Sequence, residues 1–168
     1  DGLHQAAGSL NVVDLHGRLD RVRCMQCGDI TRRDAMQARL EAANPEWLSL
    51  NARIAPDGDA DLDGVDFSTF TIPACEVCGG VLKPDVVYFG ENVPRARVDT
   101  AWAHLERADA MLVVGSSLMV YSGYRFVLEA SRRGLPIASV NFGVTRADAL
   151  LTLKIERGCA EALAPFAD

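Results

Sequence analysis

Long apolar runs are absent. No stretch of 18 consecutive apolar residues occurs in the 168-residue chain, so no transmembrane helix is expected. Basic charge is scarce as well: 17 lysines and arginines face 23 aspartates and glutamates, for a formal net charge of −6. A nucleic-acid-binding protein normally presents a basic face, so the charge balance predicts no nucleic-acid partner, and the missing span predicts no membrane partner. Lysine itself is nearly missing, occurring only as Lys83 and Lys154, while arginine and alanine are plentiful. We read that bias as the mark of a GC-rich, bacterial genome. No methionine and no signal-like segment open the chain, which begins Asp1-Gly2-Leu3-His4, and a preceding segment is therefore expected. What is present, 49% hydrophobic and 24% charged residues, suits a soluble domain with a real core. The length fits one domain of ordinary size or one domain with a small insert.

The five cysteines fall as two C-x-x-C pairs and a single residue. The pairs are Cys24-Met25-Gln26-Cys27 and Cys75-Glu76-Val77-Cys78, each followed by glycine. Two such knuckles can aim four thiolates at one tetrahedral zinc ion, and the glycines ease the tight turns around it. The rival readings are two disulfides or a redox C-x-x-C. Redox motifs usually occur singly at the start of a helix, and disulfides need an oxidising compartment that nothing in the sequence indicates. Structural zinc held by Cys24, Cys27, Cys75 and Cys78 is the expectation. With all four ligands from cysteine, no coordination position is left open for chemistry. Reduced thiols fit an intracellular, cytoplasmic setting. Residues 28–74 separate the pairs, more than a zinc ribbon needs, so the module must carry an insert.

Along the chain, residues 10–15 read as a short strand running into a His16-Gly17 loop. Residues 31–43 read as a helix capped by Thr31 and broken before Pro45. The acidic stretch 56–66 contains Asp59-x-Asp61-x-Asp63-Gly64, an imitation of a calcium loop. Its twelfth position is Phe70 where a glutamate is needed, so a solvated loop is the better reading. Beyond Cys78 the pattern becomes strand 86–89, helix 95–108, strand 110–114, helix 121–133 ending at Gly134, strand 136–140 and helix 159–166. This alternation implies right-handed crossovers and a buried parallel sheet, with ligands at the carboxyl ends of its strands. Gly115-Ser116-Ser117 lies at one such end, where glycine and free N–H groups either bind a phosphate or simply cap a helix. His16 can be a general base near neutral pH or a hydrogen-bonded structural histidine. His104 falls mid-helix as a surface residue, and Cys159 reads as a small buried residue.

Taken together, these segments resemble the sirtuins. The matching pieces occur in the family's order: Asp1-Gly2-Leu3-His4, Asp14-Leu15-His16-Gly17, the two C-x-x-C pairs, Lys83 to Glu91, Val114-Gly115-Ser116-Ser117-Leu118 and Val140-Asn141. Tyr121-Ser122-Gly123-Tyr124-Arg125-Phe126 and the Ala55-Pro56-Asp57-Gly58-Asp59 insert resemble class II members. The family's Gly-Ala-Gly-x-Ser loop and its Gln-Asn-x-Asp motif are missing but for Asp1, so an N-terminal part of the pattern is expected to lie outside this chain.

The resemblance implies an α/β fold: part of a Rossmann-like parallel sheet with helices on both faces, formed by residues 1–20 and 80–168, plus a small zinc-binding module with an acidic insert at 21–79. It implies an NAD-dependent protein-lysine deacylase acting on an acyl-lysine protein or peptide, with protein ADP-ribosyltransfer and a peptide-binding fragment without turnover as alternatives. In the family's reaction the acyl oxygen attacks C1′ of the nicotinamide ribose and nicotinamide leaves. A base then takes a proton from a ribose hydroxyl, leading to free lysine and an O-acyl-ADP-ribose. By position, His16 is that base and Asp1 sits beside the nicotinamide. Gly115, Ser116, Ser117, Asn141, Phe142, Gly143 and Cys159 line the NAD site. Val87, Tyr88, Phe89, Gly90 and Glu91 form the edge that pairs with substrate.

Overall fold

The computed structural model describes residues 2–49, 53–54 and 60–166. The chain divides into two compact units, Asp1–Glu91 and Asn92–Asp168.

The first unit is organised by an antiparallel sheet in the order β2-β1-β5, with β1 at Gly17–Cys24, β2 at Ile30–Arg32 and β5 at Leu82–Val86. A one-turn helix α1, Leu3–Ala6, precedes it. Residues 10–15 do not form the expected strand: the ladder begins only after a turn in which the Gly17 N–H donates to the Asp14 carbonyl at 3.0 Å. Gly17 takes φ 90° there, a left-handed conformation that glycine adopts without strain. His16 therefore enters a strand instead of leaving one. Helix α2, Arg33–Ala43, occurs almost where expected, but its N-cap is Arg32. Thr31 is taken by β2, where it pairs with Val22.

The insert is held by an amide. Asn44 is 1% exposed, donates to the Leu40 and Thr71 carbonyls at 2.7 and 2.8 Å, and accepts the Thr71 N–H at 2.6 Å. Beside it Trp47 stacks on Phe67 and meets Phe70 edge-on, with centroids 5.5 and 5.0 Å away. Phe70 thus serves an aromatic cluster at the position where a calcium loop needs its glutamate. A two-stranded ladder, β3 (Arg53–Ile54) with β4 (Ala60–Asp61), lies between. Asp57 and Asp59 fall outside the described residues.

The second unit is α/β. Helix α3 (Arg95–Glu106) leads to β6 (Met111–Val114), α4 (Tyr121–Arg132), β7 (Ile137–Val140), β8 (Leu153–Ile155) and α5 (Cys159–Leu163). The three strands are parallel in the order β6-β7-β8. β8 was not legible, being three residues of mixed polarity. Helix α4 ends as its sequence predicts: Gly134, at φ 72°, donates to the Ser131 carbonyl and Leu135 donates to the Ala130 carbonyl, the paired bonds of a Schellman stop.

The core consists of Leu105, Val113, Val127, Ala130, Ile137 and Ala147, with Trp102 and Phe126 in ring contact at 4.4 Å beside it. β7 is buried through most of its length, as a central parallel strand should be. β6 departs from the expected full burial. Among the described residues it lies at the edge of its sheet, and Leu112 and Val114 are 55% and 40% exposed. Among the described residues no helix is long and apolar enough to cross a membrane.

Ile137 is 1% exposed at the centre of this core. Ile137→Ala should lower the unfolding free energy by roughly 2–5 kcal/mol in urea titration, through lost burial and the cavity left behind. A loss below about 1 kcal/mol would place the core elsewhere.

Candidate metal centre and active site

The two C-x-x-C pairs meet. Their four sulfurs lie within 4.8 Å of one another, with Cys24 and Cys78 at 3.5 Å and Cys27 and Cys75 at 3.7 Å. A tetrahedral zinc ion with Zn–S bonds of about 2.3 Å requires sulfurs about 3.8 Å apart, so the donor set fits. All five cysteines are free thiols, against the disulfide alternative. The backbone explains the convergence. In the first knuckle the Gln26 and Cys27 N–H groups point at the Cys24 sulfur, and the Gly28 N–H closes onto the Cys24 carbonyl. In the second, the Gly79 N–H closes onto the Cys75 carbonyl, and the Cys75 N–H donates to Gly80. The Met25 N–H reaches the Val81 carbonyl at 2.8 Å and ties the knuckles together. A side chain at Gly80 would strike Gln26 Cβ at 2.8 Å and the Cys24 sulfur at 3.0 Å, so glycine is required there.

Electrostatics point the same way. Cys24 is lowered to about 6, chiefly by the Cys27 N–H, which with the Gln26 N–H overcomes burial. Cys27 is pushed up to about 12. The Asp29 N–H favours its thiolate, but the Cys78, Cys24 and Cys75 sulfurs and burial together outweigh that. The cluster thus accepts negative charge at Cys24 and resists more of it nearby. Four thiolates at this spacing need a divalent cation between them.

His16 sits in the turn that opens β1. It is exposed, and its carbonyl accepts the Val87 N–H at 2.8 Å, one step beyond the Gly17–Val86 pair. The turn is tied down by Asp14, whose carboxylate accepts from Gln5 Nε2 at 3.0 Å and pairs with Arg18 at 3.9 Å. The expected strand through Phe89 ends at Val86. Past Val87 the chain turns, because the Glu91 carboxylate accepts the Tyr88 N–H at 3.0 Å and the Glu91 N–H returns to the Tyr88 carbonyl. Gly90 takes φ 90° in that turn. Lys83 holds the Glu91 carboxyl below its usual range and lies 5.0 Å from the Tyr88 ring. Phe89 is 97% exposed. Val87, Tyr88, Phe89, Gly90 and Glu91 therefore form a braced turn next to His16. Asp1 falls outside the described residues.

In the second unit, three of the predicted cofactor positions converge past the carboxyl ends of β6 and β7. The Gly115 N–H donates to the Val140 carbonyl at 2.9 Å, and the Cys159 thiol lies 3.7 Å from the same carbonyl. A Cβ at Gly115 (φ 60°) would touch the Cys159 sulfur at 3.5 Å. The Asn141 N–H is held by the Ile155 carbonyl, and its side-chain amide donates to the Phe142 carbonyl at 2.7 Å. Phe142 and Gly143 are exposed, and Ser116 turns its hydroxyl toward the Leu118 N–H at 3.3 Å. Cys159 is half-buried and stands outside the four-thiol cluster.

Some residues that shape these sites carried no readable signal. Asp14 and Gln5 are ordinary polar residues until folding puts them nine positions apart in one hydrogen bond. Arg146 looks like a surface charge, yet it reaches back 27 residues to the Met119 carbonyl. Gly80 did have a signal, the doubled glycine after the second knuckle.

Metal analysis of the purified protein should find one zinc per chain. Cys75→Ala should abolish stoichiometric retention, and Cys159→Ala should leave it unchanged. Zinc lost equally in both variants would contradict the four-thiol assignment.

Comparison with known proteins agrees with this geometry. The sequence profile of the Sir2 family matches residues 1–122. A protein of Xanthomonas axonopodis pv. citri (strain 306), named NAD-dependent protein deacetylase, is 68% identical over 164 residues, covering 98% of this chain and 56% of its own length. NAD-dependent protein deacetylase 2 of Bradyrhizobium diazoefficiens is 66% identical over 164 residues, with 98% and 60% covered. Among solved structures, one from work on sirtuin substrate affinity superposes with TM-score 0.74 at 29% identity, covering 98% of this chain and 58% of that one. A Sir2–p53 peptide–NAD+ complex superposes with TM-score 0.73 at 29% identity, with 98% and 57% covered. The chain thus spans between half and two thirds of the length of these relatives. Its fold, its four-thiol cluster and this profile match together establish that the chain belongs to the Sir2 family.

Proposed function

We propose that this chain provides the catalytic base, the structural zinc module and part of the dinucleotide site of an NAD-dependent protein-lysine deacylase. The observation that carries the reading is the placement of His16. Its carbonyl takes the Val87 N–H, so an exposed histidine sits beside the braced turn 87–91. An imidazole is suited to accept a proton near neutral pH. Close relatives named NAD-dependent protein deacetylase support the same reading.

The co-substrate NAD supplies a C1′ centre whose bond to nicotinamide can be broken. His16 accepts the proton of a ribose hydroxyl, and its work is confined to that transfer. Gly115 brings backbone close to the ligand because no Cβ stands in the way. Ser116, Ser117 and Asn141 offer hydroxyl and amide groups to phosphate and ribose oxygens, with Phe142, Gly143 and Cys159 lining the same end of the sheet. Asp1 is assigned to the nicotinamide carboxamide. Val87 to Glu91 align an acyl-lysine peptide by backbone pairing, a mode seen when a peptide adds to an exposed edge. The zinc holds structure and takes no part in the reaction. We assign residues 21–79 to the zinc module, residues 1–20 and 80–168 to the nucleotide-binding part, and the protein to the bacterial cytoplasm.

The test is formation of deacylated peptide and O-acyl-ADP-ribose from NAD and an acetyl-lysine peptide by the zinc-loaded protein. Product formation should require both substrates, and His16→Ala should lower its rate roughly 10²- to 10⁴-fold with zinc content unchanged. Deacylation that persists in His16→Ala, or labelled ADP-ribose accumulating on protein in place of deacylation, would overturn the reading.

A further inference from the structure

The segment after β6 is bent into a shape that the chain would not hold alone. Leu118 has φ 57°, the left-handed region, and is the one non-glycine residue so placed among the described residues. A branched side chain there is strained and persists only where its surroundings fix it. Two clamps are visible, and both come from position 146. The Arg146 N–H donates to the Ser117 carbonyl at 2.9 Å, and Arg146 Nη1 donates to the Met119 carbonyl at 3.0 Å. Leu118 lies between the two carbonyls.

The post that carries these clamps is rigid. Thr145 and Ala147, on either side of Arg146, are 3% and 0% exposed. Asp148 accepts both the Thr145 N–H and its hydroxyl at 3.1 and 2.5 Å, and Lys154 of β8 pairs with Asp148 at 2.8 Å. The guanidinium is aimed as well as anchored. Its carbon lies 4.5 Å from the Tyr124 ring centroid and 6.0 Å from that of Tyr121, within cation–π range of both. The tyrosines of the Tyr121-Ser122-Gly123-Tyr124 run thereby gain a role: they hold the fork of Arg146 over the turn.

We propose that Arg146 is a positioning residue that locks residues 116–119 in the conformation that receives the dinucleotide. The ligand part of this inference rests on the assignment of Gly115, Ser116 and Ser117 to the NAD site, whereas the clamp itself does not. The backbone bond from residue 146 survives any substitution that keeps the N–H, so the side chain can be tested alone.

The experiment compares wild type, Arg146→Ala and Arg146→Lys in two readouts. The first is hydrogen exchange of the peptide covering 116–121. Arg146→Ala should speed exchange there about tenfold with the thermal midpoint held within a few degrees, since one charged hydrogen bond and the cation–π contacts to Tyr124 and Tyr121 are lost from an exposed side chain. Arg146→Lys keeps a cation over the rings and one donor, so it should recover most of the protection. The second readout is ADP-ribose affinity by calorimetry, and KM for NAD against kcat. Affinity should weaken about tenfold in Arg146→Ala, with KM rising and kcat little changed. Wild type that fails to bind ADP-ribose would refute the NAD assignment and leave exchange to decide the clamp. Exchange unchanged in Arg146→Ala, or accelerated equally across the whole unit, would overturn the clamp. Exchange accelerated at 116–121 with affinity unchanged would overturn the positioning role.

Discussion

Four sulfur atoms drawn within 4.8 Å of one another are the constraint on which the first unit depends. Between the two cysteine pairs, the described part of residues 28–74 adds β2, α2 and the short β3–β4 ladder. Cys24 closes β1, and Cys75 and Cys78 lead into β5, so the sulfurs tie the two strands at one end. The ladder between them carries that order through Cys24–Leu82 and Arg23–Lys83, across a bulge, to Gly17–Val86. The buried Asp85 takes the Arg23 guanidinium at 2.9 Å along the way. At the far end the Val87 N–H meets the His16 carbonyl. A structural metal held here is thereby linked, through the backbone pairing, to the histidine we assign as the base. Structural zinc contributes folding free energy outright, and among its described residues the unit has only Val22, Cys24, Met36 and Cys75 as buried apolar side chains. A cluster that small needs the staple.

The parts legible in the sequence were those governed by local rules. The C-x-x-C spacing has few solutions in three dimensions, and the thiols meet as it predicts. Helices α2, α3 and α4 follow from their composition and their stops, Pro45 and Gly134. The apolar run 136–140 became the buried central strand. The errors came where distant partners decide. Residues 10–15 look like a strand but pair with none among the described residues, while Gly17–Cys24, full of charge, is a strand because β2 and β5 flank it. Val86 to Phe89 reads as one apolar strand, yet Glu91 captures the Tyr88 N–H and turns the chain. β6 looks fully buried from its composition. Its edge position leaves Leu112 and Val114 exposed, and position in a sheet is a property of topology.

The candidate site divides along the same line. His16, Gly115 and Asn141 were visible because a glycine or a strand end marks them. Asp14, Gln5 and Arg146 were not, since each acts across a gap that only the fold closes. Supporting residues of this kind leave no short motif. In the site we propose, the reactive positions stand in recognisable words and their supports in scattered contacts.

The central claim is that the four-thiol metal site orders the strand pairing that ends at His16. Hydrogen exchange at the Val87 amide, measured in zinc-loaded, metal-stripped and zinc-restored protein, tests it most directly. The account predicts that exchange at Val87 rises at least about tenfold on metal removal and returns on restoration, because local opening then reaches the far end of the ladder. Val87 keeping its protection while the Cys75 and Gly79 amides open would contradict it, and would mean that β1 and β5 pair without the metal.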